Sequence, residues 1–166
     1  TLPLDEGGIY RMLGLEPVHP LLREGPADTA PRLPALAGPE SIRGVFHVHT
    51  TDSDGTASLL QMIAEAERMG YAWVGISDHS KAAFYANGLT AERLRAQRIA
   101  IDEAQALHPR IRIFQGVESD ILGDGSLDYE DDLLRGLDFV VASIHSRMQM
   151  DRATMTDRIE RALRHP

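Results

Sequence analysis

Four short stretches of this chain end in side chains able to bind a metal ion. His47 and His49 stand two residues apart, with Asp52 and Asp54 just after them; Asp78 and His79 form a second group, Glu118 and Asp120 a third, and His145 stands alone as a fourth. Imidazole and carboxylate together suit Zn, Mn, Fe or Co, and a carboxylate can bridge two ions. The chain has no cysteine, so disulfides and zinc–thiolate sites are excluded. Neighbouring divalent ions lower the pKa of a bound water and stabilise the leaving oxygen of a phosphoryl group. No Ser-x-x-Lys, G-x-S-x-G or Cys–His pattern offers a protein nucleophile, and no P-loop or G-x-G-x-x-G is present. The chemistry expected is phosphate-ester cleavage by an activated water.

Taken singly these residues say little. A lone loop histidine is more often a satisfied polar group than a ligand. Asp54-Gly55 reads as a turn, Asp124-Gly125 more so, and Asp52 as a residue approaching a helix. Glu118 is stronger alone, because a carboxylate directly after the apolar run IRIFQGV is costly to bury without a partner. The elements around them supply the rest. Strands are expected at Arg43–His49, Ala72–Ser77, Ile111–Val117 and Asp138–Ile144. Helices are expected at Ser58–Met69, stopped by Gly70, from an N-cap at Thr90 to Leu107, at Tyr129–Leu134, and at Thr154–Leu163 with Thr154 and Asp157 as a capping box. Four alternations of strand and helix indicate parallel βα units, whose active sites lie at the C-terminal strand ends. Each group above falls at such an end. Strand alternation puts Val45, His47 and His49 on one face, so both imidazoles can reach one ion or two neighbouring ions.

The front of the chain differs. Glu6–Leu13 can form a short helix stopped by Gly14. Residues 16–40 hold six prolines and little periodicity, as an extended linker would, which places residues 1–15, the linker and a domain over 41–166 in order. The formal charge of −8 argues against capture of nucleic acid by a broad basic surface, although metal ligands account for part of it. Four Tyr, four Phe and one Trp leave few rings for stacking on bases. No secretion signal or membrane span is read, so a cytoplasmic protein, a monomer, is expected.

On the segments FHVHTTDSDG (46–55), GISDHS (75–80), GVESDIL (116–122) and ASIHS (142–146), in that order, the chain resembles the PHP (polymerase and histidinol phosphatase) superfamily. The resemblance implies an α/β fold, an irregular (β/α)7 TIM-like barrel of which the first four or so βα units lie in this chain. It implies two to three divalent ions, Mn or Zn, held by His47, His49, Asp54, His79, Glu118 and His145, with Glu118 bridging and the attacking hydroxide held by Glu118 and His145. It also implies three later ligands beyond Pro166; His165-Pro166 follows a helix without a strand and reads as a helix exit. Val45 stands where relatives commonly carry Asp, and alternation would set it beneath the site.

ANGLT (86–90), ESDILGDGSLDY (118–129), MTDRI (155–159) and IYRMLGLEPVHPLLRE (9–24) bring the resemblance closer to the PHP region of bacterial family X DNA polymerases, with residues 1–15 closing the polymerase part. That implies manganese-dependent 3′–5′ exonuclease and DNA-end processing in repair, with DNA 3′ ends and the polymerase part of the same chain as partners. A small-molecule phosphatase of the superfamily and a catalytically silent metal-binding domain are the alternatives; residues 1–40 weigh against the first, and the six intact ligands against the second. Lys81 and Arg147 each follow a ligand by two residues and are the candidates for holding a DNA phosphate, against the plainer reading as solvated charges.

Overall fold

The computed structural model describes residues 5–23 and 36–165. The described chain falls into two compact units that part after Ala37. In the first, helix α1 (Glu6–Met12) is capped by the Asp5 carboxylate and ends at Leu13, followed by Gly14 at φ 69°, the stop expected of it. Arg23 donates to Glu6 at 2.6 Å and to the Val18 carbonyl, and its guanidinium lies 5.5 Å from the Tyr10 ring. Pro20–Leu22 make one 3-10 turn. The remainder of the expected linker, residues 24–35, lies outside the described residues, as do Leu2, Leu4 and Pro166.

The second unit alternates strand and helix. Strands β1 (Gly44–Val48), β2 (Trp73–Ile76) and β3 (Arg112–Gln115) form a parallel sheet in chain order. Helices α2 (Leu59–Arg68) and α3 (Ala91–Leu107) connect them. Val48, Val74, Ile76, Ile111 and Ile113 on one sheet face pack with Ile63 and Ala66 of α2 and Ile101 and Ala104 of α3. Ser58 caps α2 in a capping box with Gln61, Thr90 caps α3 as expected, and Gly70 ends α2 at φ 77°. The opposite sheet face carries aromatic rings: Phe46 lies 5.4 Å from Phe114 and 4.8 Å from Phe139. Gly75 and Gly116 lie beneath these rings, where a Cβ would run into Phe139.

Several boundaries differ from expectation. The expected third strand breaks after Gln115, and Glu118–Asp120 form a separate strand, β4. β4 pairs in parallel with β5 (Val141–Ser143), far shorter than the expected Asp138–Ile144. Helix α4 is Asp131–Arg135, with Tyr129 buried ahead of it against Leu89, Leu94, Val117 and Leu134. Helix α5 (Arg152–Leu163) begins two residues before the expected Thr154, because the Asp151 carboxylate caps it by accepting from the Thr154 amide and hydroxyl; Thr154 is the donor, not the cap. Arg158 of α5 is buried and donates to the carbonyls of Ile121, Leu122 and Ser146, tying α5 to the loops after β4 and β5. No described helix is long and apolar enough to cross a membrane.

Candidate metal centre

All six expected ligands come together at the C-terminal strand ends, but β1 delivers its pair by another route than simple alternation. Val45 pairs with Val74 and Val48 with Ile76, so β1 carries an extra residue between them. His47 absorbs it with a left-handed φ of 65°. The bulge takes His47 off the face that Val45 shares with Val74, so Val45 packs against the aliphatic core and does not lie beneath the site as alternation would have it. The bulge also turns both imidazoles toward Glu118: His47 Nε2 lies 3.2 Å from Oε1 and His49 Nε2 3.4 Å from Oε2, with the two rings 5.1 Å apart.

Glu118, at the start of β4, is the hub. His145 Nε2 lies 3.2 Å from its Oε1 and His79 Nδ1 2.9 Å from its Oε2, and the Ser143 hydroxyl donates to Oε1 at 2.7 Å. Asp54 closes the far side, 3.4 Å from His49 Nδ1 and 3.7 Å from His79 Nε2. The ligand atoms make three overlapping groups, His47–His49–Glu118, His49–Asp54–His79 and His79–Glu118–His145, each with its atoms within 4.8 Å of one another. Burial, the largest influence on Glu118, pushes its carboxyl up, but the Ser143 hydroxyl, His47 and the surrounding imidazoles outweigh it and hold the group below its ordinary value. Burial, again the largest influence, holds the His79 imidazole below its ordinary value against the pull of Glu118 and Asp54. Both shifts run in the direction that metal binding favours, since a metal takes a carboxylate ionised and an imidazole unprotonated.

The fit to divalent ions rests on unpartnered atoms. Of four buried side-chain polar atoms without a hydrogen-bond partner among the described residues, three are His49 Nδ1, His79 Nδ1 and Glu118 Oε2; the fourth is Ser77 Oγ. These nitrogens approach carboxylate oxygens to 3.4 and 2.9 Å but are not aligned to bond to them. Buried nitrogen and oxygen atoms left without a partner within one ligand cluster are what a divalent cation would satisfy.

Two carboxylates expected near the site do other work. Asp120 accepts from His145 Nδ1 at 3.0 Å, leaving Nε2 free toward Glu118; such a bond fixes both tautomer and ring orientation. Asp78 is fully buried and accepts from the Thr50 amide (2.6 Å), the Thr50 hydroxyl (2.8 Å), the Ser53 hydroxyl (2.5 Å) and Gln97 Nε2 (2.7 Å). It therefore anchors the loop that carries His49 and Asp54. Gln97 also donates to Asp52, joining α3 to the same loop. Sequence reading missed Gln97 and Ser143. The available signal for Gln97 was a polar residue on the buried stripe Leu94–Gln97–Ile101–Ala104 of α3.

Neither cation candidate contacts the ligand set. Lys81 Nζ lies 5.5 Å from the Tyr129 ring, on a neighbouring hollow lined also by Asp128, Arg161, Arg164 and His165. Arg147 is exposed, has φ 54°, and its guanidinium lies against Gly123. Tyr85 stands closer: its ring is 6.4 Å from His79, and burial followed by the charges of Asp120, Glu118 and Asp54 raises its hydroxyl pKa.

Residues 46–165 match the family model described as the PHP domain. The chain is 40% identical over 165 residues to the DNA polymerase/3′-5′ exonuclease PolX of Bacillus subtilis (strain 168), covering 98% of this chain and 29% of that protein. It is 32% identical over 105 residues to a probable phosphatase of Syntrophotalea carbinolica, covering 60% of this chain and 40% of that protein. The aligned stretch thus covers less than half of either relative.

Proposed function

This chain belongs to the PHP domain family, and on that premise we propose that it is the metal-dependent phosphoesterase region of a family X DNA polymerase, acting on DNA 3′ ends as a 3′–5′ exonuclease in repair. The observation that carries the reading is Glu118, a buried carboxylate within 3.4 Å of four imidazoles and with an unsatisfied oxygen of its own. Divalent ions, Mn or Zn, supply a nucleophile from water near neutral pH and stabilise the leaving oxygen. In this proposal His47, His49, Asp54, His79, Glu118 and His145 hold them, and the strands carrying these residues belong to an irregular (β/α)7 barrel. The chain's own residues set the remainder. Asp120 keeps His145 in the tautomer that presents Nε2, Ser143 holds Oε1 of Glu118, and Asp78 fixes the His49–Asp54 loop.

DNA is favoured over a small phosphorylated metabolite by similarity that runs through residues 1–37 as well as the matched domain, since the alignment with the Bacillus exonuclease takes in nearly the whole chain. Lys81 and Arg147 remain the proposed phosphate contacts at the rim. A second reading, a small-molecule phosphatase, draws on the likeness to the Syntrophotalea protein, which is lower and covers less of this chain. The test is digestion of 5′-labelled single-stranded DNA by the full-length protein in Mn²⁺. Stepwise shortening from the 3′ end, abolished in His47→Ala and Glu118→Ala, is expected. Bound metal with intact DNA and hydrolysis of a phosphomonoester would favour the phosphatase.

A further inference from the structure

The loop between His79 and α3 presents its residues the wrong way round for a structural turn. Ala83, Ala86 and Leu89 are buried, while the two large rings between them, Phe84 and Tyr85, are 85% and 64% exposed. The loop itself is firmly set. Ala83 and Leu89 amides donate to the Ser80 and His79 carbonyls at 3.0 and 2.7 Å, and Ala86 and Gly88 amides both donate to the Ala83 carbonyl. Asn87, at φ 54°, reaches across to the Asp52 and Ser53 carbonyls, at 3.0 and 3.3 Å, in the loop that carries Asp54. The backbone that carries the rings is therefore tied to the loops of two proposed ligands, His79 and Asp54. The rings pack on each other edge to face, centroids 6.0 Å apart and planes at 78°. Tyr85 is 6.4 Å from the His79 ring. The chain has few aromatic residues, and of the three exposed Phe and Tyr, Phe84 and Tyr85 are the most exposed and stand side by side at the lip of the metal centre.

The geometry points to Phe84 and Tyr85 as a stacking platform for a nucleobase next to the phosphodiester placed at the metal centre. This inference rests on the proposed action on nucleic acid. A base has a flat π-face that an exposed ring can cover whatever the sequence, so such a platform selects for nucleic acid over other phosphate esters without reading bases. With the planes at 78°, one base lies flat on one ring and meets the other at its edge. Because the loop is already ordered, little conformational freedom is lost when the base docks. The platform also explains how a chain of net charge −8 could engage a polyanion without a broad basic surface: through stacking and the metal ions themselves.

The test measures binding and cleavage separately, in the full-length protein loaded with Mn²⁺. Anisotropy titrations use oligonucleotides blocked against cleavage, ending either in a normal 3′ nucleotide or in an abasic one. Wild type is expected to favour the base-bearing end. Phe84→Ala and Tyr85→Ala are each expected to weaken that binding about 5- to 160-fold, to leave the abasic end unaffected and to leave Mn²⁺ affinity unchanged. Phe84→Trp and Tyr85→Phe keep a ring and are expected to keep the preference. Cleavage of unblocked strands should follow as a rise in KM greater than any fall in kcat. Equal binding of both ends by wild type, or base preference surviving in both alanine variants, overturns the platform even where DNA is degraded normally. Base-dependent binding lost in the alanine variants, with no degradation by wild type, supports the platform and removes the exonuclease reading.

Discussion

Two glutamates in this molecule sit among the same kinds of neighbours and come to different ends. Glu67, at the end of α2, accepts from His108 Nδ1 at 2.9 Å and from Arg110 Nε at 2.9 Å. The His108 bond, with Arg110 beside it, holds its carboxyl below the ordinary range, and neither of its oxygens is among the buried unpartnered atoms. This cluster lies where chains enter the sheet strands, and it is electrically closed by its own guanidinium. Glu118, where strands end, faces four imidazoles and no arginine or lysine among the described residues, and three polar atoms around it have no partner. A histidine–carboxylate contact is therefore no sign of a metal in itself. The distinguishing mark is whether the protein supplies the balancing charge.

The sharpest way to break that contrast is Glu118→Gln, which keeps shape and removes charge. In the full-length protein it is expected to weaken Mn²⁺ binding by more than about 100-fold, beyond the usual cost of losing an outer-shell partner, while Glu67→Gln changes it little; metal content after dialysis decides. Next in size is the linkage of metal to stability. Mn²⁺ at about a hundred times its Kd should add about 2.7 kcal/mol to unfolding. Thermal scans with and without chelator should show that gain in Glu67→Gln and not in Glu118→Gln. If both variants keep it, Glu118 is not the hub.

Asp120→Asn sharpens the comparison from the second layer. Asparagine can place its amide N–H against His145 Nδ1, favouring the wrong tautomer, and about 10- to 100-fold weaker metal binding is expected by titration; unchanged affinity would mean that packing alone orients His145. Asp78→Asn puts an amide where four donors converge, and denaturant unfolding should show a loss of about 1–3 kcal/mol. The smallest effect belongs to Glu67. Its folded pKa is depressed, so its contribution is present above the unfolded value of 4.5 and is lost as pH falls through the lower folded value. Wild type should therefore lose midpoint temperature slightly faster than Glu67→Gln as pH falls below the ordinary carboxyl value, by calorimetry without metal.

The proposed ligands were legible because parallel strands bring their ends to one face, so a pattern of His and carboxylate at successive strand tips carries three-dimensional information. Helix starts at Ser58 and Thr90 were legible for a local reason, since a cap needs only its own first turn. What escaped depended on neighbours distant in sequence. Alternation put Val45 beneath the site, but the register against β2 forces a bulge at His47, which no residue in RGVFHVHT announces. The strand expected to run through Val117 instead breaks, because residues 118–120 find their partner in residues 141–143. Asp78 looked like a ligand beside His79, and the difference lies in Gln97, nineteen residues on in α3.

Arg158 has a consequence in time. Its guanidinium, carried on α5, grips the Ile121, Leu122 and Ser146 carbonyls just past Glu118, Asp120 and His145. During synthesis the β1–β3 sheet can collapse on its own aliphatic core long before residue 158 leaves the ribosome. The carbonyls just past the hub gain their three bonds to Arg158 only when α5 is in place. The last brace on the loops that carry the proposed ligands is thus a helix that contributes none of the six.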